Sequence, residues 1–258
     1  MPEGDTVHRT ARRLRAALTG SVLTACDFRV PQLATVDLRG RAIGDSTARG
    51  KHLLLRIGDD LTLHTHLKME GSWHLYRPGT SWERPTHEAR VVLETTEWQA
   101  VGFALGVVEL LRRDAEAEAV GHLGPDLLGP DWDPEVALDR LRAAPGVPVG
   151  EALLDQRNLA GIGNMYQAEV LFLCGTDPHT PVGEVERLPR VLDRARAVLT
   201  ANVGRAIQST TGNLAPGKRL WVYRRSGSPC LRCRTTIRTG MLGAPGRERA
   251  TYWCPTCQ

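Results

Sequence analysis

No apolar run in this chain approaches the ~20 residues of a membrane-spanning helix, and the N-terminus carries no apolar leader segment. No stretch repeats itself, which sets aside a solenoid or propeller. The expectation is a soluble cytoplasmic protein with no membrane partner. Its 258 residues, 41% of them hydrophobic, suffice for two domains of ordinary size with real cores. Acidic residues are scarce in one place. Across 217–258 Glu248 is the only acid against nine Lys and Arg, a net +8 in a chain whose total is +4. Such a basic block points to a polyanionic partner. A merely solvated tail would lack the cysteines and aromatics that this one carries.

Cysteine is sparse too. Cys26 and Cys174 sit in apolar contexts expected of ordinary buried thiols. The other four, Cys230, Cys233, Cys254 and Cys257, form C-x2-C-x20-C-x2-C. In a chain read as cytoplasmic, that spacing means metal before disulfide. Four thiolates at two tight corners suit one tetrahedral Zn2+. Strands are expected at 235–239 and 249–253. A hairpin this small lacks a core, so the metal would supply its folding energy. Four protein ligands leave no open coordination position, so the zinc is structural and not the catalyst.

The chain opens Met1-Pro2-Glu3-Gly4-Asp5-Thr6. A small second residue permits removal of Met1, which leaves Pro2 as a secondary amine. An α-amino group titrates at about 7.7–8.0, so an appreciable fraction is free base near neutral pH. Attack of that amine on an aldehyde-like sugar carbon gives an iminium ion, a strong electron sink. Glu3 follows at once and is placed to act as general acid if its site keeps it protonated. Asp5 is expected to cap a helix whose Val7, Ala11, Leu14 and Leu18 share one face. Gly20 ends that helix.

From 21 to about 104 the pattern is short and strand-like, with strands expected at 22–28, 33–38, 52–57, 61–67, 72–76, 89–94 and 97–104. That rhythm predicts an antiparallel sandwich or barrel. His64 and His66 share a strand face. With no third ligand near in sequence they read as structural. A composition shift over 110–134 reads as a linker, and helices are expected beyond it at 135–144, 151–156, 165–173 and 188–203. Between two of them lies Asn158-Leu159-Ala160-Gly161-Ile162-Gly163-Asn164. It puts Asn164 at a helix N-terminus, a position suited to phosphate; a capping Asn in a helical hairpin is the plainer alternative.

Pro2-Glu3-Gly4, Arg49-Gly50-Lys51, Leu154-Asp155-Gln156 running through Gly161-Ile162-Gly163-Asn164, and the four-cysteine segment occur in one order along nearly the whole chain. Together they resemble the formamidopyrimidine-DNA glycosylase/endonuclease VIII family of base-excision repair enzymes. The resemblance implies an α+β multidomain fold. An N-terminal antiparallel β-sandwich with flanking helices would span 1–124, a helical helix-two-turn-helix domain 125–216, and a zinc-finger hairpin 217–258. It implies damaged double-stranded DNA as partner, with single-stranded or bubble DNA left open. The damaged nucleotide would be flipped out of the stack. The architecture needs no partner chain, so a monomer is expected.

By the same resemblance Pro2 is the nucleophile on C1′ and Glu3 the proton donor that opens the sugar. Lys51 matches the lysine assigned to β-elimination and phosphate contact, and Asn164 the asparagine on phosphate. Arg249 matches the finger arginine that grips phosphate and is assigned to δ-elimination. Met69 stands where a side chain fills the gap left by the flipped base, and Lys68 beside it reaches toward DNA. His122 departs from the arginine often found there, which leaves its contact to the opposite strand open. The segment 210–219 looks too short for the lesion-capping loop of the oxidised-purine enzymes, which favours the endonuclease VIII branch and oxidised pyrimidines. The alternatives are the same chemistry on oxidised purines, or a damaged-DNA-binding zinc protein without catalysis.

Overall fold

Apolar residues at helical spacing build the first element. In the computed structural model, which describes residues 2–246 and 248–258, helix α1 spans Gly4–Leu18 and buries Val7, Ala11, Leu14 and Leu18. Its arginines at 9, 12, 13 and 15 fall outside that stripe. The chain divides into two units, Met1–His122 and Leu123–Gln258.

In the first unit eight strands follow α1: β1 (Ala25–Phe28), β2 (Ile43–Arg49), β3 (His52–Ile57), β4 (Leu61–His66), β5 (Ser72–Tyr76), β6 (Ala89–Glu94), β7 (Gln99–Phe103) and β8 (Val107–Arg112). A short helix, α2 (Glu116–Val120), comes after them. The strands form two four-stranded sheets, ordered β1-β6-β7-β5 and β2-β3-β4-β8. Every pairing is antiparallel. Leu53, Leu55 and Ile57 of β3 join Leu63, Val91, Leu93 and Ala100 in one core that the α1 stripe also enters. Each large side chain so buried contributes about 1.5–3 kcal/mol. The C-terminal end of α1 is tied to the start of β2. Arg15 pairs with Asp45, and the Thr19 hydroxyl donates to the Gly44 carbonyl at 3.0 Å.

Several elements differ from the sequence reading. The segment 33–38 is not a strand. Pro31 opens a tight turn over Pro31–Leu33, after which Leu33 and Leu38 turn into the core. Strand β2 went unexpected because Gly44-Asp45-Ser46 is polar, and its pairing with β3 slips in register between Ile43 and Ser46. Strand β8 lies where a linker was expected. It is an edge strand beside β4, so its outward Glu109 and Arg112 mask it. Asp5 is not the helix cap. Glu3 holds that position in an extended conformation, and Asp5 is buried inside the first turn. Cys26 and Cys174 are half-buried rather than fully buried.

The second unit is helical before its hairpin. Helix α3 (Pro134–Arg142) starts at Asp133, whose carboxylate accepts from the amides of Glu135 and Val136 at 3.0 and 3.2 Å. Helices α4 (Val149–Leu154), α5 (Asn164–Cys174) and α6 (Leu188–Val203) follow. Gly175 ends α5 in the left-handed region, at φ 69°. Strands β9 (Arg238–Leu242) and β10 (Arg249–Trp253) form the hairpin, and β10 packs on α5. β9 begins later than expected because Arg238 is the residue opposite Trp253. Among the described residues, no helix is long and apolar enough to cross a membrane.

Candidate catalytic and nucleic-acid sites

In the first unit the predicted residues gather at one end of the β2-β3-β4-β8 sheet. Gly50, at φ 57°, turns β2 into β3 and carries Lys51 on the turn. His52 opens β3 directly opposite His66, the last residue of β4. Register therefore puts the Lys51 turn beside the Lys68-Met69-Glu70 turn that leaves β4. Lys68 sits at φ 51°, and its side chain crosses Gly106, where an added Cβ would meet its Cγ at 2.2 Å. The turn closes through the Gly71 amide, which donates to the Leu67 carbonyl at 2.8 Å. Met69 projects outward with 53% of its surface exposed.

The N-terminal residues belong to the same unit. Helix and strand have comparable lengths, since fifteen helical residues rise about 21 Å and seven strand residues about 20 Å. With its last turn held at Ile43–Asp45, α1 aims its first turn toward the Arg49 end of β2. Pro2 is half-buried, while Glu3 is only 1% exposed. Glu3, Asp5, Arg49 and Lys51 are all engaged with partners. Met1 lies outside the described residues, and with it the expected processing step.

Histidines crowd this corner. The rings of His52 and His64 stack at 5.1 Å between centroids, and His66 and His122 stand edge-on to His52 at 4.9 and 6.3 Å. His122 is exposed at the end of the unit. His66 Nδ1 accepts the Lys68 amide at 2.9 Å, so a neutral His66 carries its proton on Nε2. Burial, with nearby Lys68 and Lys51, holds the His66 pKa down at about 4. Burial and the neighbouring histidines hold His52 down at about 3. Sequence reading singled out His64 and His66 but missed His52 and Glu109, the two hydrogen-bond partners of His64. Only the strand register joins them.

In the second unit the turns between α4 and α5 are stapled by Gln156. Its Nε2 donates to the carbonyls of Leu154 and Ile162 at 3.0 Å each, and its Oε1 accepts the Gly161 amide at 3.1 Å. Gly161, at φ 103°, makes that course possible. Asn164 is the first residue of α5, and Gly163 holds the cap position. The Asn164 side-chain amide donates to the Ala250 carbonyl at 2.6 Å. Its Oδ1 is buried without a hydrogen-bond partner. This bond brings Asn164 next to the start of β10, where Arg249 is exposed. Asn164 thus lies beside the strand that carries Arg249, 86 residues from Ala250 in sequence.

Glu169, unremarked in the sequence, organises the next segment. Its fully buried carboxylate accepts the amides of Trp221, Val222 and Tyr223 at 2.8, 2.8 and 2.9 Å, and also the Thr210 hydroxyl. Burial pushes its pKa up and the four donors act against that. Both ends of the 211–220 loop are thereby held by one side chain. A buried Glu on an apolar helix is the signal that was available.

Cys230, Cys233, Cys254 and Cys257 converge, with their sulfurs all within 4.8 Å of one another. Two of the separations are 3.4 Å (Cys233–Cys254) and 4.0 Å (Cys230–Cys257). A tetrahedron of 2.3 Å metal–sulfur bonds has edges of about 3.8 Å. The four thiols therefore fit one tetrahedral metal ion.

The formamidopyrimidine-DNA glycosylase N-terminal domain model matches residues 1–104, and the H2TH domain model of the same family matches 123–213. The chain is 56% identical over its full length to a probable endonuclease 8 2 of Streptomyces coelicolor, covering 94% of that protein. It is 51% identical, also over its full length, to the DNA-(apurinic or apyrimidinic site) lyase Nei2 of Mycolicibacterium smegmatis, covering 99% of it. Its fold superposes with a TM-score of 0.81 on Lactococcus lactis Fpg bound to abasic-site DNA. The two are 25% identical, with 100% and 99% of the chains covered. With both family domains in order and relatives matched end to end, this chain belongs to the formamidopyrimidine-DNA glycosylase/endonuclease VIII family.

Proposed function

We propose that this chain, a DNA glycosylase and AP lyase of base-excision repair, works through a Schiff base on the Pro2 nitrogen and acts mainly on oxidised pyrimidines. The observation that carries the chemistry is Glu3, an acid withdrawn from water immediately after Pro2 at the start of α1. A glycosylase that only activates water needs one carboxylate base. An amine followed by a shielded acid suits a different course, in which the amine bonds C1′ while the acid protonates the opening sugar. The iminium so formed acidifies C2′, the 3′ phosphate leaves, and the 5′ phosphate follows.

Lys51 holds phosphate and assists the first elimination, and Arg249 serves the second. Asn164 and Arg249, joined through the Ala250 carbonyl, grip the backbone of damaged duplex DNA. Met69 fills the space vacated by the flipped nucleotide, with Lys68 at its side. His122 lies exposed beside His52 at the same corner as a further DNA-binding residue. Zn2+ on the four cysteines holds the hairpin that presents Arg249, and the chain acts as a monomer. The pyrimidine preference is supported by relatives named endonuclease 8 and by the short segment 210–219.

The test is borohydride reduction during reaction with duplexes carrying an oxidised pyrimidine, an oxidised purine or an abasic site, followed by peptide mass analysis. The adduct is expected on Pro2, with faster trapping on the pyrimidine lesion than on the purine. An adduct on Lys51, or base release with no adduct, refutes the mechanism. Faster trapping on the purine refutes the preference.

A further inference from the structure

The elimination steps need a base for the C2′ proton and a route for that proton to leave, and the histidine corner next to Lys51 holds a hydrogen-bonded string of the kind such a transfer uses. The tautomers follow from one end. Glu109 Oε2 lies 2.9 Å from His64 Nδ1, and a carboxylate only accepts, so His64 carries its proton on Nδ1. His64 Nε2 then bears a lone pair. It lies 2.8 Å from His52 Nδ1, which must donate to it. That leaves the Nε2 lone pair of His52 as the basic end of the string. His66 cannot play this part, because its Nδ1 is already occupied by the Lys68 amide. The string runs from the Lys51 turn, through a side chain of His64 that is 5% exposed, to a Glu109 side chain that is 52% exposed. A buried path thus links the corner to solvent.

We propose that His52, His64 and Glu109 form a proton relay that takes the C2′ proton during elimination and passes it to solvent. The inference rests on the Schiff-base reading above. The C2′–H electron pair becomes the C1′=C2′ bond and neutralises the iminium nitrogen as an enamine. The proton lands on His52 Nε2. His52 gives its Nδ1 proton to His64 Nε2, His64 gives its Nδ1 proton to Glu109 Oε2, and Glu109 releases it to water. The enamine pair then shifts to C2′=C3′ as the C3′–O bond breaks, with that bond's electrons leaving on the phosphate oxygen. The iminium is restored without any oxidant or reductant. Reverse passage from Glu109 resets the tautomers and delivers the proton that the leaving phosphate oxygen takes up.

Burial and the neighbouring histidines keep His52 neutral but a weak acceptor by itself, so it is the Glu109 carboxylate, reached through His64, that draws the proton along the string. The groups facing His52 are His64, His66 and Lys68 from β4 and the turn after it, Arg49 across β2, Lys51 beside it and His122. Apart from Glu109, reached through His64, none of them is an acid.

The experiment is single-turnover cleavage of a preformed abasic duplex from pH 4 to 8, with borohydride trapping in parallel, for the wild type, Glu109→Gln and His64→Phe. Glu109→Gln keeps an acceptor for His64 Nδ1 but cannot take the proton, and its exposed site makes folding safe. His64→Phe keeps a ring of similar shape. Both variants are expected to trap at the wild-type rate and bind abasic DNA equally. Both should eliminate about ten-fold more slowly or worse, with an altered pH–rate profile and an unchanged melting temperature for Glu109→Gln. Glu109→Gln cleaving at the wild-type rate with the wild-type profile overturns the relay while leaving the Schiff base standing. Absence of any wild-type adduct overturns both readings together.

Discussion

In the proposed mechanism a single carboxyl decides how base release and strand cleavage divide. Glu3 is almost wholly buried next to Pro2 in sequence, and in the proposed mechanism it protonates the opening sugar. Glu3→Gln keeps the shape and removes that proton. Release of an oxidised pyrimidine is expected to fall by about 10²–10⁴-fold, the usual worth of a positioned acid. Cleavage of a preformed abasic site, which needs no glycosidic activation, should fall much less. Parallel single-turnover assays on the two substrates check this. Equal losses would mean that Glu3 acts by holding structure.

Two short elements carry residues proposed to face DNA, and each is fixed by a local constraint. In the turn after β4, a Cβ on Gly71 would lie 2.4 Å from the Leu67 carbonyl oxygen, which is backbone and cannot swing aside. Gly71→Ala should therefore move the turn that carries Met69. It should cost about 1–3 kcal/mol, as overpacking usually does, and weaken binding to damaged duplex. Chemical denaturation and a binding titration measure the two effects. In the hairpin, Leu242 of β9 and Thr251 of β10 are the buried side chains among the described residues of the two strands. A metal on the four cysteines would then supply the energy that holds the hairpin. Cys254→Ser is expected to lower bound zinc from about one per chain, the stoichiometry of a four-thiolate site, to none. It should also abolish DNA binding while the first unit keeps its cooperative melting. Elemental analysis and calorimetry report these outcomes. Full activity without metal would contradict the assignment.

Charge governs the molecule as a whole. A chain of +4 with +8 in its last segment should bind DNA largely through phosphates. Affinity for any duplex should fall steeply with salt. Arg249→Ala should reduce the slope of log K against log salt by about 0.9, the value for one phosphate contact. A salt-independent affinity would exclude this. Stability should also track pH. His52 and His66 are held at about 3 and about 4 in the fold, below the ordinary value of about 6.5 for histidine. Between those values the unfolded chain binds more protons, so stability rises with pH in that window. Melting temperature should drop as pH falls from about 6.5 toward 4, and His52→Asn should flatten the dependence. Calorimetry across that range tests the sign.

The sequence alone determined what depends on near neighbours. The α1 stripe, the glycine turns, the paired C-x-x-C corners and the Pro2-Glu3 start are legible because their physics acts within a few residues. So is Asn164 at its helix start. Tertiary structure decided the rest, since it depends on which strands and helices lie together. Strand β2 is polar in isolation and exists because β3 pairs with it. His52, His64 and Glu109 come from three strands, and only their register lines them up. Asn164 reaches Arg249's strand across 86 residues of sequence. Glu169 holds a loop whose ends lie more than forty residues away. No local pattern encodes these meetings, because each is set by burial of a core to which the polar residues themselves contribute almost nothing.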